Sequence, residues 1–153
     1  MFAHARAPLA VPHIDARPRR KVAVLACMDA RLDLFSLLGL AQGDAHIIRN
    51  AGGLVTDDAL RSLSISQRLL GTEEIVVVMH DGCGLRGASE EDFAEALRAD
   101  GAQPGWRIGS FEDVEDALRE GLAKLREAPE LRSRDRLRGF VFDPDTGALR
   151  EVA

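Results

Sequence analysis

The chain of 153 residues has no tyrosine, one tryptophan and only two cysteines. Two cysteines cannot build the disulfide framework that staples small secreted domains. No stretch approaches the roughly 20 consecutive apolar residues of a membrane-spanning helix, so no membrane partner is expected. Residues 1–20, with His4, Arg6, His13, Asp15, Pro8, Pro12 and Pro18, lack the continuous apolar core of a secretory signal. Nor does one sign of charge prevail: 20 basic and 25 acidic residues leave a net charge of -5, which gives no support for nucleic-acid binding. Arg132, Arg134, Arg136 and Arg138 cluster, but Asp135 interrupts them and Glu127 and Glu130 lie just upstream, so they read as a solvated surface. The expected location is cytoplasmic, where reducing conditions keep Cys27 and Cys83 as thiols available to a metal.

What is present fits one globular domain. The chain is 46% hydrophobic and 29% charged, and at this length a single domain buries roughly two-thirds of its extended-chain surface. The three prolines fix φ and remove donors, so residues 1–20 are expected to form an extended arm, frayed or laid across a partner, ahead of one α/β domain over residues 21–153. Lys21 to Ala26 reads as a continuously apolar strand. Asp33 to Leu38 reads as a short helix closed by Gly39, and Ala45 to Ile48 as a second strand. Thr56 caps a helix in which Leu60, Leu63, Ser64, Gln67 and Leu70 recur at helical spacing until Gly71. Ile75 to Met79 is a third strand and Ser89 caps a helix to about Ala99. Ser110 opens another, on which Val114, Leu118, Leu122 and Leu125 make one apolar stripe. Leu137 to Phe142 is a fourth strand, and Asp143-Pro-Asp-Thr-Gly147 turns the chain back into an antiparallel fifth, Ala148 to Val152. The pattern is α/β: a mainly parallel sheet of about four strands flanked by helices, with an antiparallel fifth strand at its edge.

Both cysteines follow strands. Cys27-Met-Asp-Ala-Arg31 ends the first, and His80-Asp-Gly-Cys83-Gly84 ends the third. If those strands are neighbours in one parallel sheet, both clusters emerge at its carboxyl edge, where open α/β sheets place their sites. Two thiolates and one imidazole make a zinc-binding set, and soft sulfur ligands favour zinc over magnesium or calcium. Cysteine also packs as a small buried hydrophobe, so the pair alone leaves both roles open. Three protein ligands leave a fourth position, which separates a catalytic zinc from a closed structural one. Asp29 can fill that position or stand beside it, and Arg31 offers it a bidentate partner that holds it off the metal. Asn50 and Gly52, in Arg49-Asn-Ala-Gly52 after the second strand, make either a plain turn or a place where substrate approaches the backbone closely. Met28, Leu32, Leu54, Val55 and Leu85 suit an apolar slot for a linear gas, and core packing explains them equally well. His46 reads as a half-buried strand residue rather than a proton shuttle.

Taken together, Cys-x-Asp-x-Arg, Arg-Asn-Ala-Gly and His-x-x-Cys-Gly, each after a strand, resemble the motifs of the β-class carbonic anhydrases. The resemblance implies a carbonate dehydratase, with zinc on Cys27, His80 and Cys83 and zinc hydroxide attacking carbon dioxide to give bicarbonate and a proton. It implies that Asp29 either ligates the metal or pairs with Arg31, and that a homodimer or higher homo-oligomer carries the cleft at its interface. Two other functions stay open. One is hydrolysis of carbonyl sulfide or carbon disulfide on the same site; the other is a non-catalytic zinc or anion-binding protein in which Asp29 permanently closes the metal. The chain departs from the family pattern in carrying Asp81 where a hydroxyl residue usually follows the zinc histidine, and Gly82 before the cysteine, a change that bears on the hydrogen bonds around the ligands. Lacking tyrosine, it has neither the tyrosine often found near the substrate slot nor the Trp-Arg-Tyr bicarbonate pocket of some members.

Overall fold

In the computed structural model, which describes residues 13–153, five strands form one sheet in the order β2-β1-β3-β4-β5. β1 (Val22–Cys27), β2 (Ala45–Asn50), β3 (Glu74–His80) and β4 (Leu137–Phe142) run parallel, and β5 (Leu149–Glu151) pairs antiparallel with β4. This is the α/β architecture expected from the pattern. Helix α1 (Leu34–Leu38) returns the chain from β1 to β2, and α2 (Asp57–Leu70) carries it across to β3. α3 (Glu90–Ala99) and α4 (Val114–Glu127) fill the connection from β3 to β4.

Alternate strand residues face two cores. Ala23, Leu25, Ile75, Val77, Met79 and Val141 pack with Leu63 of α2 and with Leu118, Leu122 and Leu125 of α4. Val24, Ala26, Val76, Val78 and Phe140 pack on the other face with Leu32 and Leu34. Cover on both faces is why Ile75-Val-Val-Val-Met79 contains no polar residue. α4 sits close on β4 because Gly139 has no side chain: a Cβ there would lie 2.7 Å from Leu122 Cδ1 and 3.1 Å from Leu118 Cγ.

Some boundaries differ from the sequence expectation. β2 runs on through Arg49 and Asn50, which pair with Ala26 and Cys27, and β3 runs on to His80, which pairs with Phe142. Ladder hydrogen bonds continue past the apolar stretch because the strand ends form a polar edge, where burial no longer dictates composition. α4 begins after Asp113, whose Oδ1 accepts from the N–H groups of Glu115 and Asp116, and not at Ser110. The Ser110 N–H and hydroxyl are drawn instead to the Glu90 carboxylate, which also accepts from the N–H groups of Ile108 and Gly109. Residues 1–12 of the expected arm lie outside the described residues. Residues 13–20 form no helix or strand, and part of them lies on its own chain. Arg19 and Arg20 donate their N–H groups to Gly43 O and Asp44 O, and His46 Nε2 is 2.8 Å from Ala16 O.

Several carboxylates are stabilised in their charged form. The N–H of Ala41, then Arg19, hold Asp44 below the usual carboxylate range; the N–H groups of Asp116 and Glu115 do the same for Asp113. The Thr146 hydroxyl and the Asp145 N–H do so for Asp143 in the turn before β5. A depressed folded pKa contributes stability that is present above the unfolded value, about 4, and is lost as pH falls through the folded one. Urea midpoints should therefore change little between about pH 5 and 8 and fall below about pH 4. Asp44→Asn and Asp113→Asn should each lower the neutral-pH midpoint and flatten that acid limb; an unchanged limb would remove these carboxylates from the account.

Candidate metal centre

Because α1 and α2 leave on opposite faces, the strand order reverses between β1 and β3, and the crevice at their carboxyl ends is where such sheets place a site. Ala26 pairs with Val78 in that ladder, so Cys27 emerges beside His80. The sulfurs of Cys27 and Cys83 and a ring nitrogen of His80 lie within 4.8 Å of one another, and all three residues are buried. His80 Nδ1 is 2.9 Å from the Asp81 carbonyl oxygen. A carbonyl only accepts, so Nδ1 carries the proton and Nε2 the lone pair. That Nε2 is buried with no hydrogen-bond partner.

An unpaired buried polar atom costs about 1–3 kcal/mol, so its retention beside two thiols needs a reason. A cation supplies one. Burial pushes the Cys83 thiol up, against the favourable N–H of Leu85, and neighbouring Cys27 pushes it further. A bound metal ion reverses that balance and takes the thiolate. The donor set of two sulfurs and one imidazole lone pair thus fits a metal, with zinc the ion it favours.

Asp29 stands beside these three residues. Arg31 grips it as a fork, Nε on Oδ1 at 2.9 Å and Nη2 on Oδ2 at 2.8 Å, and the Arg31 N–H adds a third bond to Oδ1. The fork and that N–H hold the Asp29 carboxyl well below the usual carboxylate range. Its Oδ2 is 3.7 Å from His80 Nε2. Arg31 also donates to Gly82 O at 3.1 Å, tying the first cluster to the second.

Gly52 borders a cleft of about 230 Å³ together with Met28, Asp29, Leu85 and the two cysteines. Asn50 is not among its lining residues: its Nδ2 donates to Leu54 O at 2.8 Å and closes the turn, while its Oδ1 is buried without a partner. Met28 and Leu85 line the cleft; Leu54 and Val55 belong to the core under α4, and Leu32 to the opposite core. His46 is a half-buried strand residue, with Nδ1 2.7 Å from Ser66 Oγ.

Two contributors escaped the sequence reading. Arg49 donates to the carbonyls of Cys27 (3.0 Å), Asp29 (2.6 Å) and Leu32 (3.3 Å), so it fixes the whole loop that carries the first cysteine. The signal was its place at the end of a strand next to β1. Gly53, at φ +69°, sits so close to the strand ends that a Cβ would lie 2.9 Å from Cys27 N and 3.0 Å from Val78 O.

A parallel α/β sheet with a Cys-His-Cys group at its carboxyl edge and a forked carboxylate beside it defines a metal-binding α/β protein. The carbonic anhydrase family model matches residues 22–138. The chain belongs to the β-carbonic anhydrase family. It is 45% identical to beta-carbonic anhydrase 1 of Mycobacterium tuberculosis over 96% of this chain and 88% of that one. The crystal structure of carbonic anhydrase from Streptococcus mutans superposes with a TM-score of 0.86 at 43% identity, covering 94% of this chain and 87% of that one. A carbon disulfide hydrolase of an Acidianus species is 34% identical, covering 86% of this chain and 77% of its own length.

Removing either sulfur tests the ligand assignment. Metal analysis of purified Cys27→Ser and Cys83→Ser should show near-complete loss of zinc, with reduced thermal stability because binding and local order are coupled. A full equivalent of tightly held zinc in either variant would show that the ligands lie elsewhere.

Proposed function

We propose that this chain is a zinc-dependent carbonate dehydratase that interconverts carbon dioxide with bicarbonate and a proton. The observation that carries the proposal is the convergence of Cys27, His80 and Cys83 around an unpartnered His80 Nε2, with Asp29 held beside them, in a chain of this family. Zinc in such a set supplies Lewis-acid activation of water near neutral pH. The chain's own residues do the rest. Arg31 engages both Asp29 oxygens, which favours an open fourth position over one closed by the carboxylate. Asp29, kept ionised by that fork, accepts a hydrogen bond at Oδ2 from the attacking water and so aims its lone pair at carbon. The apolar walls Met28 and Leu85 suit a small linear substrate, Gly52 leaves the approach along the backbone clear, and Asn50 holds the turn on which Gly52 sits.

The active form we propose is a cytoplasmic homodimer or a multiple of one. No helix among the described residues is long and apolar enough to cross a membrane. Met28, Phe35, Ile65 and Leu69 are large apolar side chains left exposed, Leu69 by 69% and Met28 by 65%, and a second copy would cover them. Sedimentation at micromolar concentration should give a dimer or larger; a monomer would remove the interface cleft.

Stopped-flow hydration on zinc-assayed protein tests the chemistry. Activity should depend on zinc and rise with pH. Rising activity is expected because the attacking group is deprotonated water, and Asp29, held well below the usual carboxylate range by Arg31, is ionised throughout and does not supply that limb. Arg31→Ala should keep zinc and lose most activity, while Arg31→Lys, which keeps the charge without the fork, should retain part. Normal turnover at neutral pH in zinc-loaded Arg31→Ala would refute this role. Carbon disulfide is the competing substrate, given relatives named for its hydrolysis; turnover of it without carbon dioxide hydration would replace the proposal.

A further inference from the structure

The loop that supplies two of the three candidate ligands, His80-Asp-Gly-Cys83, is gripped from two sides. Arg31 takes Gly82 O. Arg150, on β5, takes the Asp81 carboxylate: Nη1 to Oδ2 at 2.7 Å and Nη2 to Oδ1 at 3.4 Å. The same guanidinium donates from Nε to Glu115 Oε1 at 3.2 Å on the first turn of α4, and Arg119 holds the other Glu115 oxygen at 2.7 Å. Asp81 is therefore fixed at every polar point. Its N–H donates to Phe142 O at 2.9 Å, its carboxylate is held by β5, and its carbonyl accepts the His80 Nδ1 proton.

We infer that Asp81 and Arg150 form a positioning pair for the metal, fixing the Asp81 carbonyl against which the His80 ring aligns and thereby aiming Nε2. Two points argue for this. The hydrogen bond on the far nitrogen of a metal-binding histidine sets its tautomer and ring orientation, and here that bond goes to Asp81 itself. An aspartate at this point also adds a negative charge two residues from Cys83, which a cationic partner offsets. Arg150 is that cation, 69 residues away in sequence and itself aligned by Glu115. A hydroxyl residue, expected here from the family resemblance, would need no such partner. The pair thus gives a role to the aspartate that stands where the family carries a hydroxyl residue.

The inference rests on the proposed metal site but not on the reaction, so its test reads metal binding. Zinc affinity is measured by competition with a chromophoric chelator, and site geometry by the thiolate charge-transfer and ligand-field bands of the cobalt(II)-substituted protein. Asp81→Asn and Arg150→Gln should each weaken zinc by about 10- to 100-fold and shift the cobalt bands. The double variant should bind no more weakly than either single one, because the residues act as a unit. Arg150→Lys should recover part of the loss. Arg119→Gln, which touches Glu115 but not the loop, should keep wild-type affinity and spectrum. Wild-type affinity and bands in Asp81→Asn and Arg150→Gln would overturn the inference even if their urea midpoints fell, since the pair would then be structural only. A wild-type chain without tight zinc would overturn the metal reading as well, which keeps the two failures distinct.

Discussion

The candidate metal centre depends on the register in which β1 pairs with β3. Val24 lies opposite Val76 and Ala26 opposite Val78, so the two strands end within two residues of each other at one edge. Successive strand residues face opposite sides, so a one-residue slip would carry His80 from the side of Cys27 to the core under α4. The apolar side chains do little to prevent that. Ile75 to Met79 is buried on both faces, and a slipped strand would still bury valines and isoleucine. What resists the slip stands at the edge: Gly53, wedged against Cys27 N and Val78 O, and Arg49, bonded to three carbonyls of the loop after β1. The geometry of the three candidate ligands is thus held by contacts that involve none of their donor atoms.

Three arginines surround the site, and magnitudes separate their roles. Arg49 makes charge-assisted bonds to three carbonyls: those to Cys27 and Leu32 are partly buried, where such a bond contributes about 1.5–3 kcal/mol, and that to Asp29 is exposed, where it contributes less. Arg31 and Arg150 bind carboxylates with side chains 50% and 42% exposed. Solvent screening leaves such exposed pairs little net stability. Their effect is directional instead. A planar fork fixes the plane of a carboxylate as well as its distance, and both carboxylates concerned lie next to His80, one in space and one in sequence. Losing Arg49 would loosen the fold of the loop; losing Arg31 or Arg150 would leave the fold and misplace a polar group.

Much of this was legible in the sequence where a local rule decides the outcome. Thr56 and Gly71 bracket α2 because capping is short-range, and the apolar runs of β1 and β3 show directly that both faces are covered. Cys27, His80 and Cys83 could be brought together on paper because parallel strands put their ends at one edge. Legibility failed where two local rules tie or where the partner is remote. Ser110 and Asp113 are both good helix caps, and Glu90, 20 residues upstream of Ser110, decides between them by claiming the Ser110 N–H and hydroxyl. Asn50 and Gly52 read alike as turn or substrate residues, because the bond from Asn50 to Leu54 and the cleft beside Gly52 depend on contacts that a local pattern does not show. The salt bridge from Arg150 to Asp81 has no local signature at all, since β5 is short and its register against β4 had to be seen.

These layers of support bear on how metal binding relates to folding. In small zinc domains the metal supplies the folding energy, because no adequate core exists without it. Here two cores lie on either face of a five-stranded sheet, with Leu25, Leu63, Leu118, Leu122 and Leu125 fully buried at a distance from the ligands. The orphaned His80 Nε2 costs about 1–3 kcal/mol, against a total stability of about 5–15 kcal/mol for a domain of ordinary size. The penalty is therefore tolerable, and the chain can fold around an unsatisfied donor set. A scaffold of that kind presents sulfur, sulfur and nitrogen in a nearly fixed arrangement. For an ion bound there, selectivity would rest on how well it accepts that arrangement, which Arg49 and Gly53 help to hold through their contacts at the strand ends.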